Sequence, residues 1–145
     1  MGNLFDGTLG TVFYFIVALS TIVSIHEYGH YIVGRWCGVH AEVFSIGFGP
    51  ILFSATDKKG TRWQLALIPM GGYVKFLDDD VTNPNLKSAK LTGGLNGASL
   101  PRRAAIIFAG PAFNFLLSVL IFSSIFQYSG GISELSIIGK LKNIP

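Results

Sequence analysis

Three residues of one short motif could do chemistry together: His26, Glu27 and His30 in the sequence HEYGH. On an α-helix the two histidines lie four residues apart and project from one face, so both imidazoles can reach one metal ion. Neutral imidazole is a preferred ligand of Zn²⁺, and a catalytic zinc keeps an open position for water. The carboxylate of Glu27, about 100° further around the helix, can act as general base on that water. The motif therefore predicts a metal site at His26 and His30, with Glu27 as the catalytic residue.

The surroundings of this motif favour a metal site over a structural role for the histidines. Residues 9–25 and 31–34 carry no charged side chain. A helix over 9–34 would extend about 39 Å, which exceeds the ~30 Å hydrocarbon core of a bilayer. Ionisable residues inside such a segment are costly and usually functional. The sequence therefore predicts a transmembrane helix at 9–34 that carries the site, although a lone histidine on an apolar helix is more often a packed residue.

A second apolar run, 104–126, predicts another transmembrane helix of about 34 Å. Pro111 removes one backbone donor from it and frees the carbonyl of Ile107, so we expect a kink there. Gly110 and Ala112 narrow the helix at the same level, which favours close approach of a neighbouring helix.

Composition and charge agree with a membrane protein. Half of the 145 residues are hydrophobic, 13% are charged, and the net charge of +3 gives no reason to propose nucleic-acid binding. Nine of the eleven Lys and Arg residues lie between the two predicted spans. The positive-inside rule therefore places 35–103 in the cytoplasm, with 1–8 and 127–145 outside it. The first residues lack the basic region of a signal peptide, so we expect the first helix to be retained.

The segment between the spans predicts β structure. The predicted strands are 42–48, 51–55, 61–68 and 73–76. Gly49-Pro50 predicts a turn after the first strand, and the polar stretch 56–60 predicts a hairpin turn. The first two strands are more apolar than a cytoplasmic connection requires. They could dip back into the membrane toward the metal, or form an ordinary core strand, and the residues alone favour neither.

Four motifs, in this order, resemble those of the site-2 proteases, the M50-type family of intramembrane zinc metalloproteases. They are HEYGH at 26–30, SIGFGP at 45–50, GGYVKF at 71–76 and RRAAIIFAGPAFNF at 102–115. The resemblance covers most of 9–126 and is greatest to the bacterial regulator-of-sigma-E branch. It implies a membrane protein with α-helical transmembrane segments and a β-rich loop, cytoplasmic and re-entrant, between two spans.

The resemblance also implies roles for residues. His26 and His30 would bind Zn²⁺, and Glu27 would be the catalytic acid and base. A re-entrant hairpin beside the site would hold an unwound substrate as an added strand. The substrate-binding residues implied in that hairpin are Ile46, Gly47, Phe48 and Gly49.

Other residues would support the site. Asn114 would contact substrate or hold the site's geometry, although an interhelical hydrogen bond explains it equally well. Gly71 and Gly72 would shape the backbone near the hairpin, and Pro111 would shape the second helix.

The resemblance implies that the chain is an N-terminal portion of such an enzyme. The family's third zinc ligand is an aspartate of a later transmembrane segment, and 127–145 would begin a PDZ-type domain. The sequence contains no such later segment, and we do not assign the role to Asp78. The expected partners are a membrane-spanning substrate, the lipid bilayer and the remaining part of the enzyme.

The predicted function is zinc-dependent cleavage of transmembrane segments of single-span proteins, such as an anti-sigma factor, in the bacterial inner membrane. By itself this portion would be inactive. Two alternatives are an intramembrane metal carrier and a non-catalytic module that binds membrane peptides. The substrate, the activating signal and the oligomeric state are not determined by the sequence.

Overall fold

The computed structural model describes residues 7–77 and 93–129. They form, in chain order, α1 (Thr8–Trp36), β1 (Ala41–Thr56), β2 (Arg62–Phe76) and α2 (Leu100–Ser129). Most of the predicted N-terminal tail, the acidic stretch that begins at Asp78 and the predicted PDZ-type segment beyond 129 lie outside the described residues.

Both helices contain the predicted apolar runs and extend one to four residues beyond them at each end. Each is long and apolar enough to span a membrane. They pack closely at Gly29, where a Cβ would lie only 2.6 Å from the carbonyl oxygen of Ala109. α2 continues through Pro111 to Ser129. Small residues therefore let the two backbones meet at the level of the HEYGH motif.

The sheet between the helices is a single antiparallel hairpin of two long strands. Its turn forms at the polar stretch predicted for it, where the carbonyl of Asp57 accepts a hydrogen bond from the N–H of Gly60 at 3.1 Å. Both strands bend back on themselves, so residues 43–46 pair with 72–75 on one side and with 62–65 on the other. Residues 51–56 pair with 62–66.

The four predicted strands are joined into two continuous elements, because Gly49-Pro50 lies within β1 and the predicted strands 61–68 and 73–76 both belong to β2. The reversal predicted at Gly49-Pro50 is present within β1, since residues 43–46 and 51–56 run in opposite directions along 62–66. Gly47 and Gly49 have φ angles of 89° and 87°. Such angles are easy for glycine alone, so β1 changes direction here without leaving the sheet.

A small core joins the base of the hairpin to both helices. The ring of Phe76 packs against Gly34 so closely that a Cβ on this glycine would lie 2.5 Å from Cε1 of the ring. The rings of Phe44, Tyr31 and Trp63 contact one another, with centroids 5.7 Å apart for Phe44 and Tyr31 and 4.5 Å apart for Phe44 and Trp63. The buried core residues are Tyr31, Val39, Ala41, Phe44, Phe76 and Ile106. This core fixes the hairpin relative to the face of α1 that carries the histidines.

Candidate metal centre between the two helices

The two histidines of HEYGH face one point beside Gly110. Their ring centroids are 4.8 Å apart, with the ring planes at 81°. A Cβ built on Gly110 would lie 2.6 Å from Nε2 of His26 and 2.5 Å from Nε2 of His30. Zinc–imidazole bonds are about 2.0–2.1 Å long. The absence of a side chain at Gly110 thus leaves space where both Nε2 atoms can reach one cation.

The other nitrogen of each ring contacts α2. Nδ1 of His30 lies 2.7 Å from the backbone carbonyl oxygen of Ile106. A carbonyl can only accept, so this Nδ1 carries the proton and Nε2 of His30 keeps its lone pair. Nδ1 of His26 lies 3.2 Å from the side-chain amide of Asn114. Hydrogen bonds of this kind orient metal-binding histidines.

Glu27 lies against the hairpin. A Cβ on Gly72 would be 3.6 Å from Cγ of Glu27 and 2.6 Å from the carbonyl oxygen of Ser45. The missing side chain of Gly72 therefore lets β2 pass close to both β1 and the carboxylate. This contact brings the hairpin to the predicted catalytic residue.

The bends of β1 and β2, around residues 48–53 and 67–70, form the end of the hairpin that lies far from Phe76. This far end of the hairpin also contacts α1. The hydroxyl of Ser20 donates a hydrogen bond to the carbonyl of Pro69. Ser20 precedes His26 by six residues, or about 9 Å along the helix. The side chains around this end of the hairpin are largely apolar and exposed: Phe48, Ile51, Leu52, Phe53, Leu67, Ile68 and Met70.

The predicted substrate-binding residues of the hairpin differ in their exposure and in their contacts with β2. Gly47 is buried, and Ile46 has β2 partners on both sides. Phe48 and Gly49 are exposed, and the ring of Phe48 covers Gly71 and stacks on Tyr73 at a centroid distance of 6.3 Å. Their roles in substrate binding stay predictions.

The predicted metal ligands form a pair in the part of the chain that the structure describes. Within 7–77 and 93–129 no group of three or more His, Cys, Asp or Glu side chains could hold a metal ion. Two imidazoles whose Nε2 atoms face one point fit zinc as part of a larger ligand set. Pro111 is exposed one residue beyond Gly110, outside the histidine pair.

Sequence reasoning missed three contacts at this site. It assigned Gly110 to helix packing, although the nearest atoms to its missing side chain belong to His26 and His30. It gave no role to the carbonyl of Ile106 or to Ser20. The spacing of Ile106, Gly110 and Asn114, four residues apart, was the available signal, because such residues share one helix face.

Comparison with known proteins identifies the family. The sequence model of peptidase family M50 matches residues 14–143. A relative from Agrobacterium fabrum (strain C58), named "Putative zinc metalloprotease", is 48% identical over 129 residues, which are 83% of this chain and 34% of that protein. The regulator of sigma-E protease RseP of Escherichia coli (strain K12) is 46% identical over 114 residues, which are 77% of this chain and 24% of RseP.

The chain spans about a third of the length of the first of these relatives, at 34%. The matched region of the family model includes both helices from Tyr14 onward, the hairpin and the paired histidines. The chain belongs to peptidase family M50.

Proposed function

We propose that this chain is the N-terminal part of a zinc-dependent intramembrane endopeptidase that cleaves transmembrane segments of single-span membrane proteins. Release of an anti-sigma factor is the kind of reaction that fits, because a relative is named as a regulator of sigma-E. The complete enzyme would supply the remaining zinc ligand from a segment beyond this portion.

The observation that supports this proposal most directly is the convergence of the two Nε2 atoms beside Gly110, within 2.6 Å of one point. A pair of imidazoles packed only for structure would not need a bare helix surface at that point. Free Nε2 atoms are the form in which histidine binds a metal.

The residues of this chain would have separate roles in the proposed reaction. Zinc, when bound, lowers the pKa of a bound water to about 7 and polarises a carbonyl. His26 and His30 would hold the ion and leave a position open. Glu27 would accept the proton of the attacking water and deliver it to the leaving amine.

The hairpin would present substrate to the site. A peptide bond in a helix is shielded by its own hydrogen bonds and side chains, so a substrate helix must be extended before water can attack. An extended segment could add to an edge of the sheet. Residues 72–75 form an edge of the sheet, with β partners on one side only among the described residues, and Gly72 in this edge lies within reach of Glu27.

The proposed setting is the bacterial inner membrane, with both helices spanning it. The basic residues between the helices support a cytoplasmic position for the connecting segment. His26 is then about 12 Å from the cytoplasmic end of its helix, counted to Gly34. The hydrogen bond between Ser20 and Pro69 supports a hairpin that re-enters the membrane beside α1, where the protein itself satisfies its backbone groups.

The test uses the full-length protein reconstituted in bilayers with a reporter membrane substrate. Glu27→Gln should keep zinc and lower the cleavage rate by about 10²–10⁴-fold, the usual contribution of a general acid–base group. His26→Ala/His30→Ala should lose both zinc and cleavage. Cleavage at the wild-type rate by Glu27→Gln would remove Glu27 from the mechanism.

Two results would favour the alternative functions. Zinc transport into vesicles without proteolysis by the intact protein would indicate a metal carrier. Substrate crosslinking that survives the double histidine substitution, in a protein that never cleaves, would indicate a binding module.

A further inference from the structure

Three positions on one face of α2 surround the imidazoles of α1. Ile106, Gly110 and Asn114 follow one another at intervals of four residues, so they lie along one side of the helix. The carbonyl of Ile106 fixes Nδ1 of His30, and Gly110 leaves space at both Nε2 atoms. As the side chain is placed, Nδ2 of Asn114 lies 3.2 Å from Nδ1 of His26.

We infer that Asn114 is a positioning residue, whose side-chain oxygen accepts a hydrogen bond from Nδ1–H of His26 and so keeps the Nε2 lone pair free for the metal. The inference rests on the proposed zinc site. Of the roles that the sequence left open for Asn114, it selects support of the site's geometry over substrate contact and specifies that Asn114 acts through His26.

The argument depends on where the single proton of a neutral imidazole resides. The amide of Asn114 has two orientations related by a half-turn. If its Nδ2 group faces the ring, Nδ1 of His26 must accept, and the proton then blocks Nε2. If its oxygen faces the ring, Nδ1 donates and Nε2 is free. Only the second arrangement permits both histidines to bind one ion.

His30 provides an internal reference for this arrangement. Its Nδ1 meets a backbone carbonyl, which cannot donate, so its proton position is already determined. With the oxygen of Asn114 toward His26, both rings carry the proton on Nδ1 and present Nε2 to the same point. An accepting oxygen on each imidazole is the usual support of metal-binding histidines.

The second polar atom of the Asn114 amide is buried beside the contact with His26. As the side chain is placed, its Oδ1 is buried and has no hydrogen-bond partner among the described residues. The half-turn would put the Nδ2 group in that buried position. Asn114 also lines, together with Ser118, a groove of about 330 Å³.

The experiment measures the proton position directly in full-length, zinc-free protein labelled with ¹⁵N-histidine in bilayers. In the wild type we expect the nitrogen spectrum to show the His26 proton on Nδ1. Asn114→Leu should give a mixture of tautomers and lower zinc affinity by about 10–100-fold. Asn114→Asp should restore the Nδ1–H form and most of the affinity, because a carboxylate can only accept.

Ser118→Ala is the matched control, since Ser118 lines the same groove one turn further along α2 and should leave both quantities unchanged. A wild-type His26 protonated on Nε2 would overturn the inference, and so would wild-type zinc affinity in Asn114→Leu with a raised KM for substrate. If Asn114→Leu does not fold, the wild-type spectrum and Asn114→Asp still decide. A wild-type protein that binds no zinc at all would instead refute the proposed function.

Discussion

The hydroxyl of Ser20 on α1 donates a hydrogen bond to the carbonyl of Pro69 at the far end of the β hairpin. Ser20 precedes Trp36, the last residue of α1, by sixteen positions, or about 24 Å of helix. The hairpin therefore lies alongside the C-terminal half of α1, from the end of the helix at Trp36 back to Ser20. This contact, together with the core around Phe76, fixes the sheet beside the histidines.

Loss of the Ser20 hydroxyl should loosen the end of the hairpin without unfolding it. Ser20→Ala removes one hydrogen bond, worth about 0.5–1.5 kcal/mol. The parent protein for this test is the full-length chain with Cys37→Ser and Met70→Cys. Its thiol at position 70 should react faster with a water-soluble maleimide once Ser20→Ala is added. Thr21→Ala is the control, because the Thr21 hydroxyl bonds to the Val17 carbonyl of its own helix at 2.8 Å. Equal labelling rates in all three proteins would show that the bond does not hold the hairpin.

A methyl group at position 110 should exclude the metal. In Gly110→Ala the new Cβ would lie 2.6 Å and 2.5 Å from the two Nε2 atoms, so the rings must turn away from their common point. We expect zinc content, measured by elemental analysis of the full-length protein, to fall below about a tenth of wild type, in line with the sensitivity of such sites. Alanine also improves helix propensity by about 1 kcal/mol, so a weaker helix would not explain the loss.

The control for this substitution is Gly7→Ala, because nothing lies within 4 Å of the Cβ it adds. It should leave zinc content unchanged. Full zinc content in Gly110→Ala would contradict the placement of the ion beside this residue.

A methyl group at position 34 should separate the hairpin from α1. In Gly34→Ala the added Cβ would lie 2.5 Å from the ring of Phe76, which is 5% exposed and has little room to move. Overpacking of this kind costs about 1–3 kcal/mol, which thermal unfolding of the full-length protein in detergent would register. Adding Phe76→Leu should recover part of the loss, because the smaller side chain removes the clash. An additive double variant would show that the two residues do not interact.

The carboxylate of Asp57 should make stability depend on acid pH. Burial raises the pKa of Asp57, but the N–H groups of Thr61 and Lys59, the Trp63 indole and the charge of Arg35 together hold it below its usual value of 3.8. A lowered pKa means that the stabilisation is present above that value and is lost as pH falls through the folded pKa.

The thermal unfolding midpoint of Asp57→Asn should therefore lie below that of wild type near neutral pH. The difference should shrink once the pH is below about 3.8, the ordinary value for this carboxyl. Lys58→Gln, which removes a charge from the same turn, should lower the midpoint far less, because no described hydrogen bond involves its side chain. A difference that stays constant down to the lowest pH at which the protein remains folded would contradict this role.

The sequence determined much of this architecture. The apolar runs predicted both helices, because a segment with almost no charged side chains over a membrane-length stretch has few other stable forms. The spacing of His26 and His30 predicted their common face, because helical periodicity is a local property. The polar stretch 56–60 predicted the hairpin turn, because a tight turn also depends on local sequence.

Only the tertiary structure decided how these elements meet. The local pattern at Gly49-Pro50 predicted a reversal of the chain, but the pairing of residues 43–46 with both 62–65 and 72–75 is non-local and could not be predicted from it. The facing of Gly110 and Asn114 toward the histidines depends on which side of α2 packs on α1, and that is set at the contact of Gly29 with Ala109. The sequence thus predicts the metal-binding pair, whereas the space beside Gly110 and the contacts on the imidazoles arise from helix packing between residues about 80 positions apart.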